Sequence, residues 1–281
     1  MQHVLWIGGA PGSGKTTVAS RIARRHGLRL YSADTRTWEH RDRALRAGHP
    51  AARRWEEMSA AGRWVTATPA EMLEMSLHRE RGPMVVDDLR RLPTSPLIVA
   101  EGSTLSPAVV SSGIADASRA VWLIPAPGFA RARLEERELR AGPLRLYLTL
   151  AEEIEREVRE HAAPILTVDG SRGIDETVAA VEELFAAALA AGPRADTAAE
   201  RRALLRESNA AIESQIRGYY ARPWADGDAD SVVRTFLCEC GDVGCIAGVE
   251  LAVGLLSAGP VLAPGHGPAA AQCVDRARGA P

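Results

Sequence analysis

Lysine is almost absent from this chain of 281 residues. Of its 34 basic residues, only Lys15 is lysine and the rest are arginine. Such a general use of arginine, together with abundant Ala and Gly, is typical of a compositional bias, so the one retained lysine needs a chemical reason. The chain also lacks an excess of either charge. Its formal net charge of -2 gives no general attraction to nucleic acid or to an anionic membrane.

Long apolar runs are missing as well. No run reaches the roughly 18–20 apolar residues that a membrane helix needs. The stretch MQHVLWIGG lacks the charged region and the apolar core of a secretory signal. We therefore expect a cytoplasmic protein without a membrane partner. Cysteine is scarce too, and four cysteines in the cytosol bind metal or stay free more often than they form disulfides.

Short apolar runs alternate with helical patterns over the first two thirds of the chain. The alternation predicts an α/β fold, namely a doubly wound, mostly parallel sheet with helices on both faces. The predicted strands are residues 3–9, 28–34, 97–102, 119–127 and 164–170. We predict one domain over residues 1–190 and a second region over 191–281. The second region would hold a linker at 191–194, a polar helix over about 196–218 and a small Cys-rich module.

Residues 9–16, GAPGSGKT, match the phosphate-loop pattern G-x-x-x-x-G-K-[ST] completely, between a strand and a helix. In such a loop, glycines let backbone N–H groups and a helix N-terminus face phosphate oxygens. Lys15 would contact the β- and γ-phosphates as a compact charge, which the planar fork of arginine does not replace. Thr16 would ligate Mg²⁺. The predicted cofactors are ATP and Mg²⁺, and the predicted nucleotide-binding residues are Gly9, Gly12, Ser13, Gly14, Lys15, Thr16 and Thr17.

Two other classes of nucleotide-binding protein fit poorly. GTPases read guanine with Asn-Lys-x-Asp, which a chain with a single lysine cannot supply. Larger ATPases carry an apolar strand that ends in two acids, and MVVDD (84–88) imitates it. Only eight residues separate Asp88 from Leu97, whereas a parallel crossover takes about a dozen or more. We therefore predict a strand at LIVAEG and a helix at VVDDLRRL, with Asp87 and Asp88 at its surface or N-terminus.

The layout resembles the small-molecule P-loop kinases, a group that includes shikimate and gluconate kinases, chloramphenicol phosphotransferase, zeta-toxin-like kinases and nucleoside monophosphate kinases. The resemblance covers about residues 1–190, is specific in the phosphate loop and otherwise rests on element order. It implies a helical lid and transfer of the γ-phosphate of ATP to a hydroxyl or phosphate of a small molecule. The glycine-rich substrate loop of the shikimate type is replaced by EGSTLSP (101–107).

Acids follow two of the predicted strands. The resemblance puts a substrate-binding or proton-accepting acid after the second strand, where Asp34 stands. Asp34 would orient the acceptor hydroxyl, cap the next helix, or do both. Glu101 ends the third strand at the edge where such sheets bind ligands. It would hold Mg²⁺ through water, bind substrate, or pair with an arginine.

Arginines follow the fourth strand, where the resemblance implies a lid. Arg133, Arg137 and Arg140 have the i, i+4, i+7 spacing of one helix face. They would either stabilise charge on the transferred phosphoryl group or pair with glutamates on a solvated helix. Arg172, after the fifth strand, is a candidate nucleotide contact, because the resemblance puts a loop against adenine there.

The acceptor pocket is expected among residues 34–92, a mostly helical stretch with three tryptophans. Trp38, Trp55 and Trp64 would either stack on a flat or sugar-like substrate or pack in the core and lid; Trp38 is the predicted substrate contact. The acceptor itself stays open between a nucleoside, an antibiotic, a sugar acid and a nucleotide.

The C-terminal region contains CECGDVGC and PGHG. Cys238, Cys240, Cys245 and His266 form a Cys₃His set that suits tetrahedral Zn²⁺. The segment resembles a C-terminal Cys-rich module, CEC…C…PGH, attached to various bacterial proteins. We predict a structural zinc, since small modules rarely form a core unaided. Free thiols and an iron–sulfur cluster are the alternatives, and Cys273 is a spare cysteine.

A function of another class also fits these features. The chain would then be a nucleotide-dependent switch or a nucleic-acid-associated protein that uses the zinc module for recognition. The lack of a basic patch argues against a nucleic-acid partner, so a small-molecule phosphate acceptor is the preferred partner.

Overall fold

The computed structural model describes residues 1–267, and a five-stranded parallel sheet lies at its centre. The order of its strands is β2-β3-β1-β4-β5, and every neighbouring pair is parallel. The strands are β1 (Val4–Gly9), β2 (Arg29–Ser32), β3 (Ile98–Gly102), β4 (Ala120–Pro125) and β5 (Ile165–Val168). The predicted α/β class and all five predicted strands are confirmed. Strands β2, β4 and β5 are each three residues shorter than predicted, and β1 and β3 are each one residue shorter.

Eleven α-helices connect and flank the strands within the described residues. They are α1 (Lys15–His26), α2 (Thr37–Arg46), α3 (Pro50–Glu57), α4 (Pro69–Met75), α5 (His78–Arg91), α6 (Ala108–Ser111), α7 (Pro127–Glu135), α8 (Ala141–Glu160), α9 (Ile174–Leu184), α10 (Ala186–Ala191) and α11 (Ala198–Tyr220). In residues 1–267, no helix is both long and apolar enough to cross a membrane.

The central strands are apolar because helices cover both faces of the sheet. Every residue of β1 and β4 is buried. Successive side chains point to opposite faces, so Trp6 joins Trp122 in one core layer. Leu5 and Ile7 join Ile22 of α1 in the other layer. The sheet is therefore doubly wound, as predicted.

The VVDD segment, which imitates the acid-ended strand of larger ATPases, lies inside α5. Its prediction as a helix is therefore confirmed. Asp87 is exposed over about half of its side chain. Asp88 is only 12% exposed and accepts hydrogen bonds from the Tyr31 hydroxyl at 2.8 Å and from Arg43 Nη1 at 2.6 Å. His40 Nε2 lies 2.8 Å from the same carboxylate. The prediction of a surface charge is therefore wrong for Asp88, which faces inward from its helix.

The predicted single helix face carrying Arg133, Arg137 and Arg140 is wrong. The chain turns at residues 136–140, where Glu138 has a φ of 50°, a left-handed conformation that interrupts a helix. Arg137 lies in this turn and Arg140 is the N-cap residue of α8. Arg133 therefore lies on α7, whereas Arg137 and Arg140 lie in the connection between α7 and α8.

The C-terminal part is packed against the sheet domain. Leu97 N donates to Pro193 O at 2.8 Å, so the predicted linker at residues 191–194 lies beside the start of β3. Helix α11 contacts β2 and α2, and a Cβ added at Gly218 would lie 2.9 Å from Trp38 Cβ. Beyond α11, β6 (Val233–Leu237) and β7 (Gly248–Ala252) form an antiparallel pair. The division at residue 190 stays a prediction.

Asn209 of α11 holds the hairpin in place. Its Nδ2 donates to Leu237 O and to Glu239 Oε1, both at 2.9 Å, and its Oδ1 accepts from Leu237 N at 2.8 Å. We expect Asn209→Ala to lower the free energy of unfolding by about 2–4 kcal/mol, because buried polar groups lose their partners. Denaturant unfolding measures the change. Ser214→Ala, at an exposed position of the same helix, is the control, and an equal effect of both substitutions would contradict this role.

Candidate active site

The phosphate loop connects β1 to α1 as its sequence predicts. Gly12 and Gly14 both have a φ of 83°, the left-handed region that glycine adopts without cost. Ala10 N donates to Leu123 O of β4 at 3.3 Å, which fixes the start of the loop on the sheet. Gly9 passes so close to β4 that a Cβ there would lie 2.3 Å from Leu123 O. The loop therefore needs its glycines for both conformation and space.

The side chains of this loop suit a phosphate group. Lys15 is the first residue of α1 and is only 6% exposed. The hydroxyl of Ser13 is buried and has no hydrogen-bond partner. A cation beside an unpartnered hydroxyl at a helix N-terminus is a donor set that matches phosphate oxygens. The residues present therefore fit the phosphates of ATP. Thr17 follows Thr16 in the first turn of α1, and both are exposed.

Glu101 is the buried acid of the site. It is the penultimate residue of β3 and lies in register with Ser32 of β2 and Ile7 of β1. Its side chain accepts hydrogen bonds from Thr16 Oγ1 at 3.0 Å and from the Ser32 hydroxyl. Burial raises the pKa of Glu101, while the positive charge of Lys15 acts in the opposite direction. A hydroxyl and a carboxylate in contact are oxygen ligands of the kind that Mg²⁺ prefers, so Thr16 and Glu101 fit that ion.

Asp34 lies in a short helical turn after β2, at the rim of a large cavity. Its carboxylate lies 3.7 Å from Lys15 Nζ and its side chain is 45% exposed. The cavity has a volume of about 1090 Å³, and both Lys15 and Asp34 line it. Cation and carboxylate thus meet at the wall of a space large enough for a small molecule.

Several predicted residues join Lys15 and Asp34 at this cavity, and others do not. Those that line it are Trp38, Trp55, Trp64, Arg137 and Arg140. Arg133 is not among the lining residues; it pairs with Glu136 at 2.7 Å on the surface of α7. Arg172 is exposed in the turn after β5 and is also not a lining residue.

Other lining residues were missed in the sequence. They are chiefly arginines of the helical stretch after β2, one arginine of α8, and side chains in and just after α11: Arg41, Arg63, Arg81, Arg145, Gln215, Tyr219 and Trp224. The arginines were hidden because arginine is common throughout the chain. The aromatic run GYYARPW at the end of the polar helix was the available signal for Tyr219 and Trp224.

Arg81 connects Asp88 and its partner His40 to the candidate active site. Its Nη2 donates to Ala33 O at 2.5 Å, and its Nε donates to His40 Nδ1 at 3.3 Å. His40 Nδ1 is then the acceptor, so Nε2 carries the proton toward Asp88. Burial lowers the pKa of both His40 and Arg81. This buried chain of polar groups fixes the backbone immediately before Asp34.

The four predicted zinc ligands converge at one place in the C-terminal region. The ligand atoms of Cys238, Cys240, Cys245 and His266 all lie within 4.8 Å of one another. His266 Nδ1 is 3.5 Å from both the Cys238 and Cys245 sulfurs. The three thiols are buried and the imidazole is exposed. This cluster could hold a zinc ion, since Cys₃His is a closed tetrahedral set. Cys273 lies outside the described residues.

Comparisons with known proteins add little to this geometry. No protein-family model matches the chain, and no curated protein sequence matches it. Among solved structures, a shikimate kinase from Bacteroides thetaiotaomicron is similar, with 15% identity and a TM-score of 0.35. The alignment covers 65% of this chain and 98% of that one. A likeness of this size supports no conclusion about activity, so the site has to be interpreted from its own residues.

The Cys₃His cluster generates a direct prediction. We expect purified protein to contain bound zinc, and Cys240→Ser to lower both the zinc content and the melting temperature, because removing one ligand opens the coordination set. Elemental analysis and thermal unfolding measure the two quantities. Cys273→Ser, which changes the spare cysteine that is not one of the four predicted ligands, is the control. Protein without zinc, or an unchanged zinc content in Cys240→Ser, would contradict the assignment.

Proposed function

We propose that this protein is an ATP- and Mg²⁺-dependent phosphotransferase that moves the γ-phosphate to a hydroxyl, or a phosphate, of a small molecule. The observation that carries the proposal is the 3.7 Å distance between Lys15 Nζ and the Asp34 carboxylate at the cavity wall. A group that binds γ-phosphate and a group that accepts a proton are thus within reach of one transferred phosphoryl group. Phosphoryl transfer needs mainly such positioning and charge stabilisation.

The donor end would be held by the phosphate loop. Its backbone N–H groups, the Ser13 hydroxyl and Lys15 would bind the β- and γ-phosphates. When bound, Mg²⁺ would neutralise part of the negative charge of the phosphates. Thr16 Oγ1 would be its ligand, and Glu101 would hold a metal-bound water or the Thr16 hydroxyl in position.

The acceptor end would lie in the cavity beside Asp34. Asp34 would orient the acceptor hydroxyl and take its proton as the oxygen bonds to the γ-phosphorus and the bond from that phosphorus to the bridging oxygen breaks. Arg137 and Arg140, which also line the cavity, would stabilise the charge that develops on the phosphoryl oxygens. The zinc would have a structural role, because its four ligands leave no open position for substrate.

Two substitutions test the nucleotide-binding end and the acceptor end of the site separately. We expect Lys15→Ala to abolish MgATP binding in calorimetry, because the loop loses its only cation. We expect Asp34→Asn to retain MgATP binding but to slow phosphoryl transfer by about 10²–10⁴-fold, the usual contribution of a general base. The transfer rate is measured as ADP released with an acceptor that a screen of hydroxylated small molecules identifies.

Asp175→Asn, in the exposed first turn of α9, is the matched control for the loss of a carboxylate. It should change neither binding nor transfer. Full MgATP turnover by Lys15→Ala would sink the proposal, and so would transfer at the native rate by Asp34→Asn.

A further inference from the structure

Arginines and tryptophans alternate around one end of the cavity. We call Trp38, Arg41, Trp55, Arg63 and Trp224 the arginine–tryptophan cluster. The Arg41 guanidinium lies 5.8 Å from the Trp38 ring centre and 4.6 Å from that of Trp55. The Arg63 guanidinium lies 5.2 Å from Trp55 and 4.0 Å from Trp224. Trp224 and Trp38 close the circle at 5.8 Å between ring centres.

In these contacts the tryptophan rings serve as packing surfaces for arginines. The ring faces of Trp55 and Trp224 are covered by guanidinium groups. A cation over an indole face is stabilised by the ring quadrupole, while its N–H bonds, which lie in the guanidinium plane, stay available as donors. The cluster therefore holds positive charge in place and leaves hydrogen-bond donors for another partner.

Arg41 shows that such a partner is needed. It lines the cavity and is only 3% exposed. Its Nη2 donates to Met75 O at 2.7 Å, but Nε and Nη1 are buried without any hydrogen-bond partner. Burial lowers the pKa of Arg41 to about 10, so the side chain stays charged at neutral pH. A buried cation with unpartnered N–H groups is costly unless an anion joins it.

The nearby carboxylate does not complete Arg41. Glu56 is the acid whose charge acts on both Arg41 and Arg63. Its Oε2 accepts a hydrogen bond from Trp224 Nε1 at 2.6 Å, and its Oε1 is 3.7 Å from Arg222 Nη1. Within residues 1–267, neither Arg41 nor Arg63 forms an ion pair with a carboxylate.

We propose that the arginine–tryptophan cluster is an oxyanion-binding subsite, which takes a carboxylate or phosphate group of the acceptor on the free N–H groups of Arg41. The inference rests on the proposed function, because it names the chemical class of the acceptor: a hydroxylated acid or phosphate ester. Trp224 comes from the chain beyond α11. The region that carries the Cys-rich module would therefore complete the acceptor site instead of forming a separate unit.

Binding of simple oxyanions tests this subsite without any phosphoryl transfer. Tryptophan fluorescence is the readout, since three indoles belong to the cluster. The probes are glycerate and glycerol 3-phosphate, which compare a carboxylate with a phosphate on a similar small body, and neutral glycerol. They are titrated into the full chain twice, once without nucleotide and once with MgADP present. We expect one or both anions to bind and glycerol not to bind; the anion that binds more tightly identifies the oxyanion class.

Variants locate the site of binding. We expect Arg41→Gln to weaken the anion's binding by about tenfold or more, the effect of losing a charge-assisted hydrogen bond. Trp224→Ala should weaken it too, because Arg63 and Glu56 lose the indole that positions them. MgADP binding should be unchanged in both. Arg79→Gln, which alters an exposed arginine on α5 paired with Glu153, is the control.

The outcomes separate this inference from the proposed function. If Lys15→Ala loses MgATP binding but still binds the anion, both ideas are supported. If the chain never binds MgATP while the Arg41-dependent anion binding persists, the phosphotransferase proposal fails and the subsite stands. Absence of anion binding in the wild-type protein, equal binding of glycerol, or full anion binding by a folded Arg41→Gln variant would overturn the subsite.

Discussion

The arrangement of the site depends on the buried carboxylate of Glu101. A fully buried acid is costly unless hydrogen bonds and a nearby cation compensate it. Thr16, Ser32 and Lys15 provide that compensation from three directions. Because these residues belong to the phosphate loop helix and to β2, Glu101 ties the ends of three neighbouring strands together. Asp34 follows Ser32 by two residues, and its carboxylate lies 3.7 Å from Lys15 Nζ.

The second constraint is positive charge in a confined space. Within the described residues the cavity is lined by Lys15 and six arginines but by only one acid, Asp34. Repulsion among cations in a low-dielectric site is strong, and the protein offsets it locally: indole faces cover Arg41 and Arg63, and backbone carbonyls accept from Arg81 and Arg145. A polyanionic donor and an anionic acceptor would supply the remaining negative charge.

Residues with local signals were predictable, and residues placed by tertiary packing were not. Three features follow short sequence patterns: the phosphate loop, the strand that contains Glu101, and the Cys₃His set. In each, the residue types and their spacing indicate the group that they would bind or position. The helix ends near Glu138, which adopts a left-handed conformation without being glycine. The spacing of the arginines therefore predicted one continuous helix across this position. Arg41 could not be distinguished from other arginines, because its burial depends on contacts with Trp55 and Met75. Trp224 is far in sequence from the other pocket residues, and it reaches the cavity because α11 packs beside β2 and α2.

The central claim is that nucleotide and acceptor meet between Lys15 and Asp34 at the carboxyl edge of the sheet. A crystal structure with Mg²⁺ and a non-hydrolysable ATP analogue tests it most directly. The account predicts β- and γ-phosphates in the loop of residues 9–16, the metal on Thr16 Oγ1, and the γ-phosphate facing the cavity beside Asp34. An analogue bound elsewhere, or a γ-phosphate directed away from the cavity, would contradict it.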